Sequence, residues 1–194
     1  MKSERKLMGE HSIVILASGS GTLAQALIDA AERNELDCEI SAIISDKQSQ
    51  VLERARKYDI TNFYLPLVKD RSDWDRKLLD LVNKLKPDLV VSAGFMRILS
   101  PEFVSRFDCI NSHPSLLPAF PGAHAVRDAL AAGVTETGCT VHWIDAGIDT
   151  GPIIGQIPMP IYPTDSEETL HARIKIAERA LIVETVSALL ADKH

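Results

Sequence analysis

The chain has no surplus of positive charge: 21 Lys and Arg stand against 27 Asp and Glu, for a net charge of -6. Nucleic acid and anionic membranes are polyanions that demand a basic face, so neither is an expected partner, and any phosphate must be captured locally. Cysteine is scarce. Cys38, Cys109 and Cys139 are odd in number, far apart and without a Cys-x-x-Cys pair, which argues against a disulfide framework or zinc knuckle and for reduced thiols in a cytoplasmic protein. No apolar run approaches the ~20 residues of a membrane helix. The basic start is followed only by the short stretch Ile13 to Ala17, too brief for a signal peptide. Internal repeats, low-complexity tracts and flexible linkers are missing as well.

What is present is enough apolar residue, 45% of 194, for a core that buries about two thirds of the surface of one domain. Apolar runs of strand length at Ile13 to Leu16, Glu39 to Ser45, Asn62 to Leu65 and Asp88 to Ala93 alternate with helical patterns at Leu23 to Arg33, Val51 to Tyr58 and Asp73 to Lys86. Trp74, Leu78, Leu81, Val82 and Leu85 share one face of the last of these. Further strands are predicted near Cys109 to Asn111, Cys139 to Ile144 and Pro152 to Pro158. Helices are predicted at about Ala125 to Ala132 and Asp165 to Ala191, the latter opened by a capping box of Thr164 and Glu167. The expected fold is α/β: a Rossmann-like open, mostly parallel, twisted sheet with helices on both faces. One domain spans 1–194, with halves at about 1–107 and 108–194 on a continuous sheet and a site beyond the strand C-termini.

The turn Ala17-Ser18-Gly19-Ser20-Gly21-Thr22 follows the first strand and leads into a helix. Free backbone N–H groups and glycines that permit close approach make it a phosphate cradle. No Lys-Ser/Thr pair follows, so a P-loop is excluded. Gly19, Gly21 and Ala24, with Asp46 as a ribose-binding acid, also satisfy the dinucleotide fingerprint, and a nicotinamide-dependent dehydrogenase stays open on this turn alone.

Asn111 and His113 stand two residues apart at a strand end, so their side chains point the same way and suit the oxyanion of a tetrahedral intermediate. The proline-rich loop Pro114 to Pro121 would fix them. Asp149, enclosed by Gly147 and Gly151, is either a turn former or an acid that orients His113. His142 is either its partner or a buried histidine. His113, His124, His142 and Asp149 are metal-ligand types, but their spacing matches no short ligand pair.

Ser18-Gly19-Ser20-Gly21, Gly94-Phe95-Met96-Arg97-Ile98-Leu99, the Asn111 to Gly122 segment and Asp149-Thr150-Gly151-Pro152, taken in this order, resemble the folate-dependent formyltransferases from Ile13 to about Leu190. Within that family the resemblance is to the branch whose amine substrate is glycinamide ribonucleotide. It implies a catalytic triad of Asn111, His113 and Asp149, and a ribonucleotide site at Gly19, Ser20, Gly21, Thr22, Leu23 and Glu178. It implies folate contacts at Arg71, Phe95, Met96, Arg97, Ile98, Leu99 and Val104, at Asn111, and along Asp145, Ala146, Gly147, Ile148 and Asp149, with His142 and Ser115 behind them. The first half then carries the phosphate and the second the catalytic and folate functions. Many members have asparagine where this chain has Leu23. Lys175, three residues before Glu178, reads as its solvated ion-pair partner.

The resemblance further implies 10-formyltetrahydrofolate as co-substrate, no metal, and a monomer or homodimer without nucleic-acid or membrane partners. A glycyl amine with a pKa of about 8 is partly neutral at cytoplasmic pH, so direct attack on the formyl carbon is expected, without a covalent enzyme intermediate. Methionyl-tRNA and sugar-nucleotide formyltransferases carry a further C-terminal domain, and formyltetrahydrofolate hydrolases an N-terminal regulatory one. The expectation is a stand-alone transferase, with a stripped hydrolase as the alternative.

Overall fold

The β-branched and leucine-rich run at the start of the chain forms the first strand of a computed structural model that describes residues 9–193. The basic N-terminal start lies outside the described residues. Strand β1 (His11–Ala17) leads to α1 (Thr22–Glu32), β2 (Cys38–Ser45), α2 (Gln50–Lys57), β3 (Asn62–Tyr64), α3 (Arg71–Leu85) and β4 (Leu89–Ser92). Then come α4 (Pro101–Arg106), β5 (Cys109–His113), α5 (Ala125–Ala131), β6 (Glu136–Trp143), β7 (Ile153–Pro160) and α6 (Glu167–Ala191).

All seven strands join one sheet in the order β3-β2-β1-β4-β5-β6-β7. The pairs from β3 to β5 are parallel, and β6 and β7 run antiparallel beside β5. The sheet is therefore mostly parallel and Rossmann-like. Ile13 to Ala17 are wholly buried, as a strand covered on both faces requires. One face packs against α1, α2, α5 and α6 through residues such as Leu27, Val51, Val126 and Ile174. The other packs against α3 and α4 through Trp74, Leu78, Val82 and Phe103. Adjacent β1 and β4 reverse the direction in which the sheet is built, and the crevice beyond their C-termini is where open α/β sheets hold ligands.

Two expectations need correction. Helix α4 lies where the apolar pattern predicts none; Ser100 caps it by accepting the Phe103 N–H, and Pro101 occupies the first turn, where a missing N–H costs nothing. The capping box of α6 is built from Ser166 and Thr169, not Thr164 and Glu167. Asp165 accepts from the Tyr162 N–H and pairs with Arg173, which holds it outside the helix.

The β6–β7 ladder contains one irregularity. Val141 pairs with Gly155 but His142 pairs with Ile153, leaving Ile154 as an extra residue on β7. Such a bulge bends a strand and re-aims its neighbours, and here it sits next to His142. No helix among the described residues is long and apolar enough to cross a membrane.

Candidate active site

Strand alternation places Asn111 and His113 on the same face of β5, with Ser112 turned to the other. Across the ladder, Asn111 pairs with His142 of β6 and with Ser92 of β4. The loop after β6 folds back over this face and brings in Asp149, a non-glycine residue at φ 55. Its Oδ2 lies 3.4 Å from His113 Nδ1, its Oδ1 lies 3.5 Å from His142 Nε2, and the Gly122 N–H donates to Oδ2 at 2.8 Å. The three side chains that the sequence singles out are thus linked in one chain of contacts, from His113 through Asp149 to His142, whose Nε2 is 3.3 Å from Asn111 Nδ2.

Hydrogen-bond roles follow from what each neighbour can do. His113 Nε2 faces the Phe120 carbonyl at 2.9 Å, which only accepts, so Nε2 carries a proton and Nδ1 is the edge left toward Asp149 and a ligand. Ser115 donates to the Ala119 carbonyl at 2.6 Å and so pins the loop that carries Phe120. Thr140 donates to the Ser115 carbonyl at 2.6 Å and accepts from the Leu117 N–H and from Gln156. Burial alone would push the Asp149 carboxyl up, but hydrogen bonds from His142 and Gly122 and the nearby His113 outweigh it and hold it below its ordinary value. Asp149 is accordingly a carboxylate at neutral pH. In the same loop, Asp145 Oδ1 accepts from the Gly147 N–H and Thr150 Oγ1, while Ala146 and Ile148 are exposed.

At the C-terminus of β1 the glycine turn is held on two sides. Gly21 is the N-cap of α1 at φ 71, and a Cβ there would sit 2.4 Å from Val51 Cγ2, so both conformation and space demand glycine. Arg54 donates Nε to the Ser20 carbonyl at 2.7 Å and Nη1 to Gln25 at 2.9 Å. That draws the carbonyl away from the turn's free amides. Open cavities flank the turn, one of about 450 Å³ beside Thr22, Arg54 and Arg179 and one of about 500 Å³ beside Gly19, Ser20 and Arg56. Leu23 is buried in the core; of this residue only the backbone can reach a ligand in the turn.

The segment after β4 is tied to the same turn. Ser18 N–H donates to the Gly94 carbonyl, and the Met96 N–H donates to Ser18 Oγ at 2.8 Å. Met96 and Ile98 stand 63% and 56% exposed, whereas Phe95 and Leu99 point into the core, so a ligand here meets alternate side chains. Val104 is half-buried against that core. Arg71 donates to the Ile98 carbonyl and to Asp75, and lies over the Trp74 ring, bracing the segment from below. Arg97 turns onto Asp46, Nε to Oδ2 at 2.6 Å, with the carboxylate fully buried. This removes Asp46 as a ribose-binding acid and with it the dinucleotide reading of the turn.

Glu178 lies apart from this face. It is buried on α6 and accepts from Ser112 Oγ at 2.7 Å, under the opposite side of β5, while Lys175 is exposed. The solvated pair expected from their spacing gives way to this buried bond. Burial raises the Glu178 carboxyl above its ordinary value, against the opposing pull of Ser112 and Lys175. Among the described residues no group of three or more His, Cys, Asp or Glu side chains is arranged to hold a metal ion. Sequence reasoning missed Ser92, which donates to Asn111 Oδ1 at 2.8 Å, and Arg54. Neither belongs to a local motif.

A family model described as Formyl transferase matches residues 11–186. The chain is 49% identical over 181 residues to the phosphoribosylglycinamide formyltransferase of Mycobacterium tuberculosis (strain CDC 1551 / Oshkosh), covering 91% of this chain and 84% of that protein. A crystal structure of phosphoribosylglycinamide formyltransferase from Bacillus halodurans superposes with a TM-score of 0.90 at 37% identity, over 94% of this chain and 97% of that one. A formyltetrahydrofolate deformylase from Pseudomonas syringae pv. tomato gives a TM-score of 0.89 at 30% identity, but this chain spans 62% of it.

Proposed function

Because the chain belongs to the formyl transferase family, we propose that it transfers the formyl group of 10-formyltetrahydrofolate to the amine of glycinamide ribonucleotide, giving formylglycinamide ribonucleotide and tetrahydrofolate in purine biosynthesis. The observation that carries this reading is the meeting of Asn111, His113 and Asp149, with Asp149 3.4 Å from His113 and 3.5 Å from His142, beside a glycine turn suited to phosphate.

The neutral amine attacks the formyl carbon, forming the new C–N bond and placing negative charge on the formyl oxygen. A free N–H of the Asn111 amide and the N–H that His113 offers at Nδ1 once its ring is protonated, beside the Asp149 carboxylate, stabilise that oxyanion, each donor being worth about 3 kcal/mol in such a site. Asp149, ionised and anchored by Gly122, accepts the proton lost by the amine and passes it through water to the folate nitrogen. The C–N bond to folate then breaks and tetrahydrofolate leaves. The amides of Gly19 to Leu23 hold the phosphate, and Met96 to Leu99 with Asp145 to Asp149 and Arg71 hold the folate. Three buried free thiols suit a reducing cytoplasm.

The likeness to a deformylase favours one second reading, hydrolysis of the same folate by water. Following loss of 10-formyltetrahydrofolate with and without glycinamide ribonucleotide separates the two. Transfer requires the amine; turnover of equal rate without it would sink the transferase reading in favour of the hydrolase.

A further inference from the structure

Ser92 closes β4 one strand away from Asn111, and its hydroxyl is buried. The Trp143 carbonyl accepts from His142 Nδ1 at 2.8 Å, so the Nε2 edge of the ring is turned to Asp149 and Asn111. Nε2 is 3.3 Å from Asn111 Nδ2, and the Asn111 Oδ1 points the other way, toward β4. Oδ1 then meets Ser92 Oγ at 2.8 Å, and the hydroxyl donates its single proton there. The remaining N–H of Asn111 is left for a ligand. An asparagine amide rotated by half a turn would put a carbonyl oxygen where the developing oxyanion needs a donor.

We propose that Ser92 is a positioning residue of the formyl transfer reaction: its hydroxyl locks the Asn111 amide in the one orientation that offers an N–H to the transition state. The inference rests on the reading of Asn111 as an oxyanion donor. Without Ser92, Oδ1 loses its hydroxyl partner, and among the described residues the amide is held from the His142 side. The cost falls on the transition state rather than on substrate binding, because the formyl oxygen becomes an oxyanion only as the amine attacks.

Kinetics of Ser92→Ala, Ser92→Thr, Ser92→Cys, Asn111→Ala and the Ser92→Ala/Asn111→Ala double variant test this, with 10-formyltetrahydrofolate and glycinamide ribonucleotide as substrates. Ser92→Ala is expected to lower kcat about tenfold, the scale of a slightly misplaced group, with both KM values within about twofold. Ser92→Thr restores the rate, and Ser92→Cys, a weak donor of similar size, falls between and stands in if the alanine variant does not fold. In the Asn111→Ala background the Ser92 substitution costs nothing further, since its effect runs through the amide. Wild-type turnover in Ser92→Ala, or the same loss with and without Asn111, overturns the proposal. A wild-type enzyme with no amine-dependent turnover sinks the underlying reading instead and takes the proposal with it.

Discussion

The Asp149 carboxylate spans two imidazoles, with Oδ2 3.4 Å from His113 Nδ1 and Oδ1 3.5 Å from His142 Nε2. Asp149→Asn keeps the shape but removes the charge that, in the mechanism we propose, orients His113 and takes the amine's proton. We expect kcat to fall by about two orders of magnitude or more while the fold persists. Because the folded carboxyl is held below its ordinary value of 3.8, it contributes stability above that value, and the contribution is lost as pH falls through the lowered one. Urea titrations between pH 6 and pH 3 should show the wild type losing stability more steeply than Asp149→Asn; parallel curves would contradict this.

Arg97 and Asp46 form an unequal pair. The carboxylate is fully buried and the guanidinium is partly exposed, so each loss has a different consequence. Arg97→Ala strands a buried charge at a cost of about 3–5 kcal/mol. Asp46→Asn leaves an arginine that water can still reach, and should cost clearly less. Unfolding free energies in the reverse order would show that the pair is not organised by burial.

Gly21→Ala meets two obstacles, the positive φ and the Val51 side chain. A loss of about 1–3 kcal/mol is expected from the strained backbone alone. Adding Val51→Ala should recover only part of it, since space is restored but φ is not. The KM for glycinamide ribonucleotide should rise in both variants while that for the folate stays put. Full recovery of stability in the double variant would assign the glycine to packing only.

Glu178 titrates in the opposite sense to Asp149. Its folded carboxyl lies above the ordinary 4.5, so its contribution is complete below that value and is lost as pH rises through the raised one. Glu178→Gln retains an acceptor for Ser112 and removes the charge. Melting temperatures at pH 5 and pH 8 should diverge in the wild type and converge in the variant. An equal pH dependence in both would refute the assignment.

The parts of this structure that were legible were those written in short-range periodicity. The apolar stripe Trp74, Leu78 and Val82 announces α3, and those side chains are the ones that α3 buries. Helix α4 escaped because six residues are under two turns and show no stripe. The start of α6 was misread because Thr164 and Ser166 both fit a cap, and the choice is made by Arg173 holding Asp165. Asn111, His113 and Asp149 could be singled out by type and spacing. Ser92 and Arg54 could not, because their partners lie 19 and 34 residues away in sequence and become neighbours only when the sheet assembles. Leu23 shows the converse: it occupies a motif position, yet its side chain belongs to the core.

The extra residue at Ile154 has a consequence for how the hairpin can diverge. Side chains alternate with a period of two along a strand, so a supernumerary residue resets the count between the end of β7 near Asp149 and the rest of the strand. The outer rungs, from Cys139 opposite Ile157 to Glu136 opposite Pro160, are therefore decoupled in phase from the rung that presents His142. Drift in the distal half of the hairpin can be absorbed without rotating the imidazole. Removing Ile154 would do the reverse, gearing the two halves together and turning every change at the far end into a displacement of the His142 imidazole.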